Sequence, residues 1–510
     1  MAMLFLIRKR INIGAILIIA THTVSANMLS DGSNESSRLM ASQSGNFNYL
    51  SAPMQSDAEA AKPLVDKLQA SYRKSSTDFG EVYARWAGSD QPATGLIDES
   101  MLSTSQLKYI FSQAVLLAAS RSPEIKQSYG EWQAAGFDVD QVKGQRWPQI
   151  QVGASTKSVE FGGRSEYQRS SGINVSASTI IFDWGRIRKQ IRSRELIESA
   201  NWLKFRAMLE SNAYEVSMTL TELAKERYIV KVTEEYVTRL SELVNLLQEI
   251  VKVDVGRTSE LTQVRARFLE ARTSLEGAQS RQKSLELEMR KLVGNISFAV
   301  PSSLRWDFPL PDFETTLKKV RKSPQVLQAE YEADAQRVDA DAIHSAQLPQ
   351  LNWVVGKSTV TQGYNGKEDP WQTSLNVTWN VFQGGSARAE ERAAIARAGA
   401  SREKKEQLLL DTEFEVRNAW QDAHIYRRRA EDYQPLVVES LRVRREFFEQ
   451  WYHLGKRTIL DVLIAERDYY NNEIGQISAK FDSYSSVIKV YSGSAQLLEW
   501  LDSSRYMNVN

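Results

Sequence analysis

A long helical run without glycine or proline constrains the fold of this chain more than any other feature. It extends from Arg186 to Val255, and its apolar residues, among them Ile187, Leu220 and Leu247, recur at helical spacing. About 70 residues at about 1.5 Å each give a helix about 100 Å long. A compact globular domain has no use for such a helix, so the pattern predicts a coiled coil or a helical barrel.

The same arrangement returns in the second half of the chain, which indicates an internal duplication. A second long run opens after Gly385 and closes at Gly455. Two further pairs of segments match at one common offset, namely Ser122-Pro123 with Ser323-Pro324, and Trp147-Pro148-Gln149-Ile150 with Leu348-Pro349-Gln350-Leu351. The chain is therefore predicted to be a repeat protein, whose function depends on how its repeats assemble.

Composition argues against several classes of function. The 510 residues carry a net charge of +1, which gives no reason to expect a nucleic-acid partner. The sequence has no cysteine, so disulfides, thiol nucleophiles and a lipid-modified cysteine are excluded. The four histidines, His22, His344, His424 and His453, lack metal-ligand spacing. We therefore expect neither an enzyme nor a cofactor.

The N-terminal segment resembles an export signal. Arg8-Lys9-Arg10 is basic, Ile11 to Ala20 is apolar, and Val24-Ser25-Ala26 fits a signal peptidase site. We predict a signal peptide over 1–26, with an N-terminal membrane anchor as the alternative. The apolar run is too short to span a bilayer, which favours cleavage. Residues 27–105 are predicted to be an extension that is largely disordered or weakly helical.

After each Pro-Gln pair the hydrophobic period changes from helical to alternating, which predicts two strand hairpins. In the second hairpin Trp371, Leu375, Val377 and Trp379 alternate with polar residues such as Asn376. Strands of about 9–11 residues cross a membrane when tilted, so these four residues are predicted to face lipid. The edge of a soluble β-sandwich is the alternative. The predicted class is mainly α with β.

The predicted boundaries follow from these patterns. The first repeat spans 106–300 and the second 301–510; each begins with a helix. The predicted elements are, in order, a strand hairpin 149–182, a long helix 184–254, a return helix 260–293, a strand hairpin 350–382, a long helix 385–453 and a return helix 459–500.

Glycine and proline mark special positions in the helical runs. Gly256 and Gly455 stand where each long helix reverses, and both are predicted to adopt positive φ. The second long helix differs from the first because it contains Gly399 and Pro435. An interior proline removes a hydrogen bond, so we predict a bend or a break at Pro435.

Four strands cannot close a transmembrane barrel on their own. About eight strands make the smallest barrel, and a sheet edge open to lipid is not tolerated. The chain must therefore associate with further copies of itself. Three copies would supply twelve strands, although closure alone permits two or more copies.

At this point the sequence resembles the TolC family of outer-membrane efflux channels. The resemblance covers about Gln106 to Leu501 and rests on the duplicated Ser-Pro and Pro-Gln segments. It rests also on Phe182-Asp183-Trp184-Gly185, Phe382-Gln383-Gly384-Gly385 and above all the segment Tyr452 to Leu463, YHLGKRTILDVL. The resemblance implies a homotrimer in the outer membrane of a Gram-negative bacterium, with a twelve-strand barrel continuous with a periplasmic helical barrel and no catalytic activity.

The resemblance also implies site residues and partners. The family's gate pattern falls on Tyr452, Arg457 and Asp461. The helix tips would contact a periplasmic adaptor, also called a membrane fusion protein, through Gly256, Arg257, Thr258, Gly455, Lys456 and Thr458. The adaptor would connect the channel to an inner-membrane pump of the ABC or RND type, and the barrel would contact outer-membrane lipid.

The gate residues also have a simpler interpretation, and the pattern departs from the family at two positions. Thr458 to Asp461 resembles a capping box, in which Asp461 would only stabilise a helix start. Some relatives have a second aspartate where this chain has Ile464. Where the first hairpin often supplies a carboxylate, this chain has Thr262, and Glu260 is a candidate replacement.

Three functions follow as hypotheses. The first is a passive exit duct of a tripartite exporter, with type I protein secretion, including that of a large adhesin, favoured over multidrug or small-molecule efflux. The second is a structural coiled-coil surface protein, which has no need for paired strand hairpins. The third is an enzyme, for which no nucleophile, base and metal arrangement is present.

Overall fold

The computed structural model describes residues 101–155, 172–359, 370–452 and 454–506. The predicted signal peptide, nearly all of the N-terminal extension and the two hairpin loops lie outside the described residues. The helices are α1 Thr104–Arg121, α2 Pro123–Gly144, α3 Arg186–Val253, α4 Thr258–Val293, α5 Phe313–Val320, α6 Pro324–Ala346, α7 Ser386–Tyr452, α8 Ile459–Gly493 and α9 Leu497–Tyr506. The strands are β1 Gln149–Ser155, β2 Gly172–Phe182, β3 Gln350–Ser358 and β4 Gln372–Thr378.

The duplicated Ser-Pro pairs begin two equivalent helices. In α2 the Ser122 hydroxyl accepts a hydrogen bond from the backbone N–H of Ile125, and in α6 the Ser323 hydroxyl accepts one from that of Val326. Proline follows each cap at the first helical position, where its missing N–H costs nothing. The same sequence signal therefore begins the helix that precedes the strand hairpin in each repeat.

The four strands form one antiparallel sheet in the order β1-β2-β3-β4. Its register aligns apolar residues on one face, here called the apolar face: Ile150, Val152, Ala154, Ile173, Val175, Ala177, Leu351, Trp353, Val355, Leu375 and Val377, with Thr179, Thr373 and Lys357. Apart from Ile180 and Val354, the residues on the opposite face are small or polar. Within the described residues, β1 and β4 are both edges of this sheet.

The second hairpin is shorter than predicted. β4 ends at Thr378, so Trp379 lies beyond the strand, and Trp371 precedes its first residue. The last residue pair of the ladder joins Thr378 to Gln350, and Pro349, which comes before Gln350, has no N–H to extend it. Leu375 and Val377 share the apolar face as predicted, whereas Trp371 and Trp379 flank the strand.

Left-handed residues begin both long helices. Trp184 and Gly185 have φ of 57° and 79°, and Gly384 and Gly385 have φ of 60° and 85°. The Asp183 carboxylate accepts hydrogen bonds from the backbone N–H groups of Gly185 and Ile187. Because a left-handed residue cannot continue a helix, α3 begins at Arg186 and not at the predicted residue 184.

The long helices contain 68 and 67 residues. Of the two alternatives predicted at Pro435, the break is wrong, because α7 is continuous from Ser386 to Tyr452 with Pro435 in its interior. The bend stays a prediction. Beside the proline, the ring of Tyr433 covers Gly475 of α8 so closely that an added Cβ would lie 2.6 Å from it. None of the helices in the described part of the chain combines the length and apolarity needed to cross a membrane.

The predicted return helix 459–500 is wrong only near its end, where residues 494–496 interrupt it. α8 ends at Gly493, and α9 begins at Leu497 after a turn in which Ala495 has φ of 52°. The Ser494 hydroxyl donates to the Val490 carbonyl, and the backbone N–H of Gln496 donates to the Tyr491 carbonyl. The chain therefore turns where its helical pattern alone predicted continuation.

Aromatic side chains from the connector between the repeats join the main core. Trp306 stacks on Tyr484 of α8 with ring centroids 4.7 Å apart, and Phe481 packs edge-on against Trp306 at 5.2 Å. The backbone of Leu102 pairs with Arg305 and Asp307 on either side of Trp306. The connector thus fixes the middle of the helical bundle, between the sheet and the helix tips.

A buried carboxyl group ties α9 to this core and should make stability depend on pH. Glu210 of α3 accepts the backbone N–H of Leu498 at 3.3 and 3.4 Å through its two oxygens. Burial raises the pKa of Glu210 to about 8, although the Leu498 hydrogen bond and Arg206 oppose the shift. A raised folded-state pKa contributes stability that is fully present below the unfolded-state pKa and is lost as pH rises through about 8.

We expect the Glu210→Gln variant to lose less thermal stability than the wild type between about pH 5 and about pH 9, because glutamine cannot ionise. Its amide oxygen can still accept the Leu498 N–H. Melting temperatures measured by circular dichroism across this range provide the test, with the exposed Glu276→Gln as the control. Parallel pH profiles for wild type and Glu210→Gln would contradict the expectation.

Candidate functional site at the helix tips

The tip of the first hairpin is a compact turn held by Asp254. Its carboxylate accepts the backbone N–H of Gly256 at 3.0 Å and lies 3.6 Å from the Arg257 guanidinium. Val255–Arg257 form a short 3₁₀ turn, so the prediction of positive φ at Gly256 is wrong. The Asp254 side chain makes the turn that a left-handed glycine would otherwise make.

The tip of the second hairpin uses the glycine as predicted. Gly455 has φ of 60°, and the next residue, Lys456, donates its N–H to the Gln450 carbonyl at 3.0 Å. Thr458 and Asp461 form a capping box: Asp461 Oδ2 accepts the Thr458 N–H at 3.0 Å, and Thr458 Oγ1 accepts the Asp461 N–H at 3.3 Å. This capping box confirms the capping interpretation. The hydrogen bond from the Thr458 backbone also lowers the pKa of Asp461.

Tyr452 and Arg457 lie on the same hairpin as Asp461. The Tyr452 ring stacks on Phe448 with centroids 5.9 Å apart. The Arg457 Nε donates to Gln450 Oε1 at 3.1 Å, and its guanidinium lies 4.1 Å from the centroid of Phe447. All these contacts lie within the second hairpin, so the gating role of Tyr452, Arg457 and Asp461 stays a prediction.

The two positions that depart from the family pattern contact their own hairpin. The Thr262 hydroxyl donates to the Thr258 carbonyl at 3.0 Å, and Glu260 lies 3.9 Å from Arg257. Within one chain Glu260 therefore pairs with the first hairpin's own arginine. That Glu260 supplies the missing gate carboxylate to a neighbouring subunit stays a prediction.

An apolar cluster fastens the second hairpin to the first. Trp451, which is 3 % exposed, packs with Ile459, Val462 and Leu463 of its own hairpin. The first hairpin contributes Leu240, Leu243, Val244, Leu247, Leu261 and Val264 to the same cluster. We call this the tip cluster. Sequence reasoning selected Tyr452 and missed its neighbour Trp451, because a single tryptophan does not reveal which helix it contacts.

Above the tip cluster, charged side chains join three helices. Glu466 Oε2 of α8 lies 3.2 Å from Arg239 Nε of α3 and 3.7 Å from Arg444 Nη1 of α7. The Arg444 and Arg239 guanidinium groups lie 4.6 and 5.5 Å from the ring centroid of Tyr469. Sequence reasoning missed this group because its members are far apart along the chain.

The burial of this group suggests that it fixes position more than it adds stability. The side chain of Glu466 is 12 % exposed, that of Arg444 16 % and that of Arg239 22 %. Burial raises the pKa of Glu466 even though both arginines oppose the shift. Desolvation of a buried ion pair often offsets its Coulomb attraction, so the pairing mainly specifies how α3, α7 and α8 align. Among the described residues, no three His, Asp or Glu side chains are grouped so that they could hold a metal ion.

The sheet and helices together define the protomer of an outer-membrane channel. A four-stranded sheet with one apolar face stands at one end of two helical hairpins, each with one helix of about 100 Å. The model of the family described as "Outer membrane efflux protein" matches residues 115–295 and 320–492, one segment in each repeat. The chain belongs to the outer membrane efflux protein family.

Named relatives agree with this assignment. The chain is 20 % identical to the outer membrane protein TolC of Escherichia coli (strain K12), over 78 % of this chain and 84 % of TolC. It is also 20 % identical to the outer membrane efflux protein BepC of Brucella suis biovar 1 (strain 1330), over 62 % of this chain and 70 % of BepC. The solved outer-membrane channel OprN superposes with a TM-score of 0.68 at 20 % identity, covering 79 % of this chain and 94 % of OprN.

The predicted fold class is confirmed: a TolC-like channel with an internal duplication. In this class three protomers of four strands form a twelve-strand barrel that continues into a periplasmic helical barrel. The family also confirms the predicted location, the outer membrane of a Gram-negative bacterium with a large periplasmic portion. Channels of this family are conduits and work with periplasmic adaptors and inner-membrane pumps.

Proposed function

We propose that a homotrimer of this chain is the exit duct of a tripartite exporter. It passively conducts substrate from an inner-membrane pump and its adaptor to the outside. The sheet is the observation that carries the proposal: it has one apolar face and two edges, and it continues into helices of about 100 Å. One copy leaves the backbone N–H and C=O groups of the sheet edges unpaired. A closed trimer pairs them within the lipid and encloses a continuous passage.

We propose type I protein secretion as the transport class, with an ABC pump and a large adhesin as one candidate cargo. Multidrug or small-molecule efflux through an RND pump is the second candidate. The family description and the name of BepC support efflux in general, without a pump type. Identifying the adaptor that copurifies with the full-length trimer separates them. An adaptor of an RND drug pump, with no ABC partner, would contradict the secretion assignment.

We propose that both helix tips contact the adaptor. Gly256, Arg257, Thr258, Gly455, Lys456 and Thr458 lie on two adjacent turns, and all but the intermediate Arg257 are exposed in the single chain. The tip cluster holds these turns side by side. Lys456 would then present positive charge to the adaptor, whereas Arg257 pairs with Asp254 and Glu260 of its own hairpin.

The gate proposal predicts that Tyr452→Phe combined with Arg457→Ser raises single-channel conductance in planar bilayers. The second hairpin would lose its polar ties to neighbouring subunits and close the entrance less tightly. Trimer yield should be unchanged, because the tips are remote from the sheet. Unchanged conductance in a correctly assembled trimer would contradict the gating role of both residues.

The Asp461 proposal predicts a cation site in addition to the helix cap. Asp461 Oδ2 accepts from both the backbone N–H and the hydroxyl of Thr458, so Oδ1 can interact with a cation where three copies meet around the pore. A trivalent cation should block the wild type, and Asp461→Asn should relieve the block. With Ile464 in place of a second aspartate, block should be weaker than in a relative with two. If Asp461 only caps α8, Asp461→Asn leaves block unchanged.

A further inference from the structure

The two repeats differ at the base of the sheet, where each long helix begins. In the first repeat Ile187 and Ile191 of α3 are buried against Val142 of α2, and Ile180 of β2 packs on them. These four apolar side chains fill the space between the sheet and the two helices. The first repeat is therefore closed at this level.

The second repeat lacks most of this filling, although Ile343 of α6 stands where the first repeat has Val142. When Phe182 is aligned with Phe382, Ile187 and Ile191 correspond to Ala387 and Glu391, and Ile180 corresponds to Asn380. The Glu391 carboxylate lies 2.8 Å from His344 Nδ1 and accepts a hydrogen bond from Gln347 Nε2 at 3.1 Å, so its side chain is held by α6 and the residue that follows it. A groove of about 690 Å³ remains between α6, the segment 379–383 and the first turns of α7. We call it the second-repeat groove.

The groove begins where β4 ends. Trp379, Val381 and Phe382 follow the last strand residue, Thr378, and line the groove. Val381 is 71 % exposed and Phe382 is 87 % exposed. The Trp379 indole N–H donates to the Gln347 carbonyl at 3.1 Å, which holds the ring at the groove. Tryptophan in this setting is typical of the boundary between membrane and water.

The polar lining of the groove carries both signs of charge. Arg388, an exposed side chain, lies on the α7 side together with Glu390, and Asp339 lies on the α6 side. A guanidinium binds phosphate well, and a carboxylate binds an ammonium group. One cation and two carboxylates beside an apolar surface match a zwitterionic phospholipid better than a purely anionic one.

We propose that the second-repeat groove binds one phospholipid with an ammonium headgroup from the periplasmic leaflet of the outer membrane. Its acyl chains lie along Trp379, Val381 and Phe382, its phosphate contacts Arg388, and its ammonium group contacts Asp339 and Glu390. The proposal rests on the proposed function, because it requires the apolar face to meet lipid. One such lipid per protomer would seal the junction between the barrel and the helices.

Native mass spectrometry of the full-length trimer, released from nanodiscs of phosphatidylethanolamine and phosphatidylglycerol, tests the proposal. We expect the wild type to retain phosphatidylethanolamine preferentially. Ala387→Ile, which restores the first-repeat filling, should retain about tenfold less, as expected if affinity falls by about 1.4 kcal/mol. Ala389→Ile, on the exposed side of the same turn, is the matched control and should retain the wild-type amount. Arg388→Gln should also reduce retention without changing the volume of the groove.

Two outcomes would overturn the proposal. Equal retention by wild type, Ala387→Ile and Ala389→Ile would mean that the groove binds no lipid. A lower melting temperature of Ala387→Ile trimers with unchanged lipid retention would mean that a neighbouring protomer fills the groove. Planar-bilayer conductance of the same samples separates this failure from failure of the duct function. A conducting trimer without the lipid refutes only the groove, and a trimer that does not insert refutes the duct.

Discussion

Trp451→Ala is expected to lower the unfolding free energy of the helical region by about 3–5 kcal/mol, the usual cost of removing a buried tryptophan. The side chain is 3 % exposed and lies in the tip cluster between the two hairpins. The cavity left behind would loosen the second hairpin from the first. We therefore also expect higher single-channel conductance in planar bilayers, even though Tyr452 and Arg457 are intact.

Leu454→Ala is the matched control for this experiment. Leu454 lies on the same turn but is 59 % exposed, so its truncation should leave both stability and conductance nearly unchanged. Chemical denaturation in detergent, followed by circular dichroism, measures the first effect. If Trp451→Ala and Leu454→Ala behave alike, the tip cluster does not hold the hairpins together.

Local periodicity explains why much of the architecture could be predicted. Ile150, Val152 and Ala154 alternate over a few residues, and the register of the sheet places them with the apolar residues of β2. The Ser-Pro pairs at Ser122 and Ser323 begin helices because a cap and a first-turn proline act locally. The duplication then supplied the Ser-Pro, Pro-Gln and hairpin patterns twice, which strengthened those assignments.

Predictions that depended on tertiary contacts were less successful. Gly256 looks like Gly455 in the sequence, but the Asp254 side chain shapes the first turn without positive φ. Gly493, the last residue of α8, lies so close to Val416 that an added Cβ would be 2.6 Å from it, and the turn at Ala495 follows. Neither feature is marked by a local sequence pattern. Glu466 and its two arginines come from three distant helices, so no local pattern could reveal them.

Leu375→Arg should disrupt the barrel far more than Asn376→Arg, although the two positions are adjacent in β4. Leu375 is the central residue of the strand and faces Trp353 on the apolar face, whereas Asn376 faces Asn352 on the polar side. An arginine facing lipid near the bilayer midplane costs about 2–4 kcal/mol per protomer, and one facing the lumen costs much less. Three copies would multiply the penalty in a trimer. Folding free energies in lipid bilayers, from denaturant titration, should separate the two variants, and trimer yield should fall only for Leu375→Arg. Because both residues lie at nearly the same depth, equal penalties could not arise from depth and would contradict the assignment of the apolar face to lipid.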